Sequence, residues 1–167
     1  MCTTETEQFK AYLQELVELM DKVPGRVGWR YRGFEDLALK CGKIMEPKPL
    51  PKNIELGQPR LCYANSQRLA FKNRSITYVE GYAMAQGVSF PLHHAWLLDS
   101  DGYAIDPTWE PYGCCYLGVS LATPWVKSIL KSRRQLGRTD ELSILQGNYL
   151  EGYFILKQGY PTEALCT

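Results

Sequence analysis

The sequence predicts an α+β domain built on a mainly antiparallel sheet, and three observations carry that prediction. Apolar residues recur at helical spacing near the start of the chain and again at 124–136. From residue 75 the pattern changes to β-branched and aromatic runs. The turn signals between those runs are short enough to join strands antiparallel. At 167 residues and 45% hydrophobic content the chain suits one domain over 1–167, with a core at about 58–120 and helices within 5–42 and 124–136 packing on it.

The first element is an amphipathic helix in "TETEQFKAYLQELVELMDKVPG". Phe9, Tyr12, Leu13, Leu16, Leu19 and Met20 form its apolar stripe, threonine and acidic residues open it, and Pro24-Gly25 closes it. "FEDLALKCG" is a short helix ended by Gly42, and the four prolines of "IMEPKPLPKNIELGQPR" predict an ordered loop without regular structure. That loop, at 46–60, is a candidate wall of a cleft. A helix begins near Cys62, just past Pro59, with Cys62, Ser66, Leu69 and Ala70 on one side.

"SITYVEGYA", "LHHAWLL", "YAID" and "CYLGVSL" read as strands, and "TPWVKSILKSRRQLG" carries the Thr-Pro start and Gly stop of a helix. The tail "TDELSILQGNYLEGYFILKQGYP" reads as a short helix followed by a strand.

The totals exclude several classes of function. A formal charge of +1 asks for no nucleic-acid partner, and the basic run "KSILKSRRQLGR" reads as the solvated face of one helix rather than an anion-binding patch. "MCTTETEQFK" lacks the basic-then-apolar order of a signal peptide, and no apolar stretch reaches bilayer length, so a cytoplasmic location away from membrane is expected. Six cysteines without a CxxC pair or regular spacing predict free thiols, with neither a disulfide framework nor a zinc site.

The chemistry lies in "LHHAWLLDSDGYAIDPTW", which holds both histidines of the chain. A three-residue turn of Ser100, Asp101 and Gly102 would pair 99 with 103 and set Asp106 diagonally beside His94 on one face. His93 then points to the other face, which also argues against a metal centre made from Cys62, His93 and His94. Cys62 at a helix start gains from the positive end of the helix, which favours a thiolate. Cys62 as nucleophile, His94 as base and Asp106 as orienter supply the three roles of acyl transfer, and no cofactor is called for. The Cys62 N–H is the first candidate oxyanion donor and Gln58 the second; Asn65, a turn further on, is a supporting donor. Tyr82, Trp96 and Trp109 are candidate linings of the substrate cleft.

A cysteine at a helix start, a "YVEGYA" strand, "HAW", a short turn and "DPTW" together resemble the transglutaminase-like branch of the papain-like cysteine enzymes. The resemblance covers roughly residues 58–120 and implies a catalytic triad of the Cys, the His of "HAW" and the Asp of "DPT", here Cys62, His94 and Asp106. The stretch between Cys62 and "VEGYA" is shorter than in typical members, and flanking domains like those of the protein-crosslinking enzymes are not seen.

The expected function is a cysteine hydrolase, a protease, amidase or deamidase acting on a peptide, a protein or a small amide or ester. The alternatives are an amine-accepting transglutaminase and a non-catalytic binding module on the same fold. A metal-dependent hydrolase using the same three residues as ligands is a more distant rival.

Overall fold

The structure, a computed structural model, describes residues 3–166, with side chains from Glu5 onward. It is α+β, with one curled, antiparallel, five-stranded sheet. Helices α1 (Thr3–Met20) and α2 (Phe34–Cys41) precede strand β1 (Lys43–Met45) and helix α3 (Cys62–Lys72). Strands β2 (Thr77–Met84), β3 (Leu92–Leu98), β4 (Ala104–Ile105) and β5 (Cys115–Leu121) follow, in the spatial order β1-β5-β2-β3-β4. Helix α4 (Thr123–Gln135), the short helix α5 (Phe154–Gln158) and two 3₁₀ turns complete the chain. No described helix is long and apolar enough to cross a membrane.

Residues of α1 settle onto the sheet through Phe9, Leu13 and Val17, a stripe of four-residue spacing, while Tyr12 and Leu19, expected on the same stripe, are exposed. The proline-rich segment is ordered, as expected, but carries more regular pairing than its prolines suggest. Ile44 and Met45 pair with β5, and Pro47 bridges Ala104. In the tail, "FILKQ" forms a helix instead of a strand, because Asn148 Oδ1 accepts the Ile155 N–H (3.0 Å) and Ile155 and Leu156 enter the core. The threonine side chains expected to cap α1 lie partly outside the described side chains.

Two close approaches shape the sheet. Gly118 and Gly81 pair with each other, and Gly81 pairs with His94, which makes a flat row across three strands. The fully buried Trp96 ring lies across this row, and a Cβ on Gly118 would come within 2.5 Å of it.

Glu80, on β2, is buried without a cationic partner among the described residues. Its carboxylate accepts four hydrogen bonds: from the Tyr78 hydroxyl (2.6 Å), the Ile144 N–H (2.6 Å), the Ser143 hydroxyl (2.9 Å) and the Leu145 N–H (2.9 Å). Burial raises the Glu80 pKa and the four donors counter it. Arg133 joins the same segment. It was expected on a solvated face, yet it is 1% exposed, grips both Glu151 carboxylate oxygens (2.7 Å each) and donates to the Ser143 carbonyl (2.6 Å). Glu80 and Arg133 thus clamp the 141–151 segment onto the sheet. Glu80→Gln turns an amide NH₂ toward two of the four donors, and the expected loss is about 2–4 kcal/mol in urea denaturation. A loss below about 0.5 kcal/mol would show that this clamp contributes little to stability.

Candidate functional site

Each half of the site is placed by ordinary local chemistry. Upstream of α3, Gln58-Pro59-Arg60-Leu61 forms a tight turn: the Leu61 N–H donates to the Gln58 carbonyl (3.3 Å), and Arg60 takes φ +66° behind a proline. The turn delivers the chain directly into α3. Cys62 is therefore the first helical residue, and Leu61 before it offers no side-chain cap. The first-turn N–H groups have no intrahelical acceptor, and the first turn carries no acidic residue to compete with a thiolate for the positive helix end.

The β3–β4 hairpin has the register expected from parity, with Leu97 opposite Ile105 and Leu98 opposite Ala104. Its turn is closed by the Asp99 N–H to the Tyr103 carbonyl (3.1 Å), with Gly102 at φ +88°. Asp99 accepts the Asp101 and Tyr103 N–H groups (2.9 Å each) and pairs with Lys48, so it is occupied with the turn. Asp106 is diagonal to His94, and its Oδ2 accepts the His94 Nε2–H at 2.7 Å.

Strand β4 covers the outer edge of β3 only at Leu97 and Leu98. At Ala95 the carbonyl instead accepts the Ser66 hydroxyl (3.1 Å), which pins α3 to that edge. Cys62, one turn before Ser66, is thereby brought alongside His94, near enough for the thiol to act on the imidazole's protonation. With Nε2 committed to Asp106, Nδ1 is the nitrogen left for the thiol.

Cys62, His94 and Asp106 form a nearly closed row, at 8%, 2% and 2% exposure. Burial works against a charged His94. The hydrogen bond to Asp106 and the neighbouring Cys62 thiol, with their charges, outweigh it and push the pKa up to about 9. The carboxylate is held on both oxygens. Oδ1 accepts the Thr108 N–H (2.8 Å) and the Trp109 N–H (3.2 Å), and Oδ2 also accepts the Tyr116 hydroxyl (2.8 Å). The "DPTW" stretch is thus an Asp-initiated turn that fixes its own first residue. Trp109 stacks on the His94 imidazole with centroids 3.8 Å apart.

A raised histidine pKa has a definite sign for stability. The contribution of His94 is complete below its ordinary value of 6.5 and is lost as pH rises through about 9. The melting-temperature advantage of the parent over His94→Gln is therefore expected to be largest below pH 6.5 and to shrink toward about pH 9. An advantage that grows with pH would contradict the pairing.

The remaining expected site residues divide. Trp109 touches His94, as above, whereas Trp96 is fully buried beneath the row and donates its indole N–H to Met45 Sδ (3.3 Å). Tyr82 is not beside the His94–Asp106 pair. It sits on the opposite face with His93, which bonds its hydroxyl (2.9 Å), and it donates that hydroxyl to Glu35 (2.7 Å). Burial lowers the His93 pKa, partly opposed by Glu35.

Asn65 does not reach into the site as a donor. Its amide N–H groups go to the Gln58 carbonyl (2.8 Å) and Thr108 Oγ1 (3.0 Å), and its Oδ1 accepts the Gln58 N–H (3.3 Å). It ties the turn before Cys62 to the turn after Asp106, helped by the Gly57 N–H to the Pro107 carbonyl (2.7 Å). A Cβ on Gly57 would fall 2.2 Å from that amide. The exposed Gln58 side chain has no partner among the described residues.

Tyr116 was not singled out in the sequence; strand alternation gives its face but not its reach to Asp106. Among the described residues, no group of three or more His, Cys, Asp or Glu side chains is placed to hold a metal ion. Burial pushes the Cys115 thiol up to about 11 and also raises Cys114 and Cys166. No family model, curated protein or solved structure matches the chain.

Proposed function

We propose that the chain is a cysteine-dependent acyl-transfer enzyme of transglutaminase-like, papain-related architecture, acting as a hydrolase on an amide or ester. The observation that carries this reading is His94 hydrogen-bonded to a doubly anchored Asp106, with the Cys62 thiol beside the imidazole at an uncapped helix start.

In the proposed reaction the Cys62 thiolate attacks the carbonyl carbon, a C–S bond forms, and the π electrons move onto oxygen. The Cys62 N–H and the free Gln58 amide would receive that negative charge. Collapse breaks the C–N or C–O bond, and the leaving group takes the proton from His94 Nδ1. Water then gives its proton to the same nitrogen, attacks the thioester, and releases the acid and the thiol. Asp106 keeps the imidazole oriented and supports its charge throughout. Water is the default acceptor, and an amine in its place would make the enzyme a transglutaminase.

The test is an acyl-enzyme trap: brief exposure to p-nitrophenyl acetate at mildly acidic pH, then intact-mass and peptide mapping. One acetyl group on Cys62, absent from His94→Ala, is the expected result. Acetylation spread over lysines with Cys62 unmodified would refute it. The small exposure of Cys62 and His94 favours the second reading, a binding module that retains this architecture without turnover.

A further inference from the structure

Away from the triad, α3 and α4 enclose a groove of about 240 Å³ with the segment after α4. Three arginines line it: Arg68 from the middle of α3, Arg134 from the last turn of α4, and Arg138 just beyond. None of the three guanidinium groups, all on exposed residues, has an ion-pair or hydrogen-bond partner among the described residues; Arg60 and Arg74 are likewise unpartnered, but neither lines the groove. Glu141 also lines the groove, but its carboxylate accepts the Ser143 N–H (3.0 Å) and pairs with none of the three. Gathering like charges without partners is unfavourable. The negative end of α4 accounts for a cation in its last turn but not for a guanidinium brought from α3.

Phe71 and Leu130 add apolar surface to the lining, with the Lys127 ammonium 4.9 Å from the Phe71 ring centroid. We propose that this groove binds a phosphate monoester, its dianionic head gripped by Arg68, Arg134 and Arg138 and its ester group lying on Phe71 and Leu130. Planar guanidinium forks match phosphate oxygens. The volume lies below the range of pockets for drug-sized ligands and suits a head group with a small body. A net charge of only +1 and the confinement of these cations to one concavity favour a compact anion over a nucleic acid.

The experiment is calorimetric titration of the full chain at low ionic strength with phenyl phosphate and with inorganic phosphate. Saturable one-site binding is expected, tighter for phenyl phosphate, and weakened about tenfold or more by Arg68→Gln or Arg134→Gln. Arg74→Gln, which removes an exposed and unpartnered arginine outside the groove, should leave binding unchanged. Circular dichroism melts of the variants confirm that they fold. No saturable binding of either probe, or equal weakening by Arg74→Gln, would overturn the proposal. So would preferential, steeply salt-dependent binding of an oligothymidylate, which would make the face a nucleic-acid surface.

Discussion

Replacing Cys62 by alanine is expected to lower acyl-transfer turnover by about 10⁴-fold or more, the scale on which loss of a nucleophile removes the covalent route. The fold should survive. Alanine is the best helix former, and the substitution removes a single buried sulfur atom at the first position of α3. Turnover measured on an activated ester, with melting temperature alongside, separates the two effects. Turnover retained within about tenfold would move the chemistry to another residue, since no acyl-enzyme could then form at this position.

The second large effect is expected at Asp106→Asn, a loss of about 10³–10⁴-fold in kcat with the nucleophile intact. The carboxylate accepts four hydrogen bonds, from His94, Tyr116, Thr108 and Trp109. An asparagine can keep the two backbone bonds on its oxygen. Its NH₂ then faces His94 Nε2 and the Tyr116 hydroxyl, which forces the imidazole to present a lone pair where it now presents a proton. The proton moves to Nδ1, and the histidine can no longer take one from the thiol. The kcat loss should therefore come with a loss of Cys62 alkylation at mildly acidic pH. Unchanged alkylation together with unchanged kcat would reduce Asp106 to a turn residue.

Much of the geometry was legible from local rules. Parity along "LHHAWLLDSDGYAID" set which residues share a face, because side chains alternate strictly on a strand and Gly102 supplied the left-handed turn position. Pro59 marked the start of α3 because a proline is tolerated just ahead of a helix and not within it. The pieces that were missed depend on partners far along the chain. Glu80 gave no sign that three of its four donors lie 63 to 65 residues away, and Arg133 looked like one more cation in a basic run until Glu151 folded against it.

The tail shows the same limit from the other side. "FILKQ" is apolar and β-branched enough to pass for a strand, but a short run carries too little periodicity to decide. Asn148, seven residues before Ile155, decides it by accepting the Ile155 N–H in the first turn of the helix. Within the site, Asn65 and Tyr116 illustrate that a residue can be near the chemistry and yet act by positioning. Asn65 spends its amide on the two flanking turns, and Tyr116 spends its hydroxyl on Asp106.

The central claim is that Cys62 and His94 form a thiolate–imidazolium pair. The most direct measurement is alkylation of the folded chain with limiting iodoacetamide at mildly acidic pH, followed by peptide mass mapping of every cysteine. A denatured sample and a His94→Ala variant are run beside it. Preferential labelling of Cys62 over Cys114, Cys115 and Cys166, lost in the variant, is the predicted result, because burial holds those three thiols protonated. Cys62 labelling no faster than its neighbours, with the denatured sample labelling normally, would contradict the pair and leave the row as architecture without chemistry.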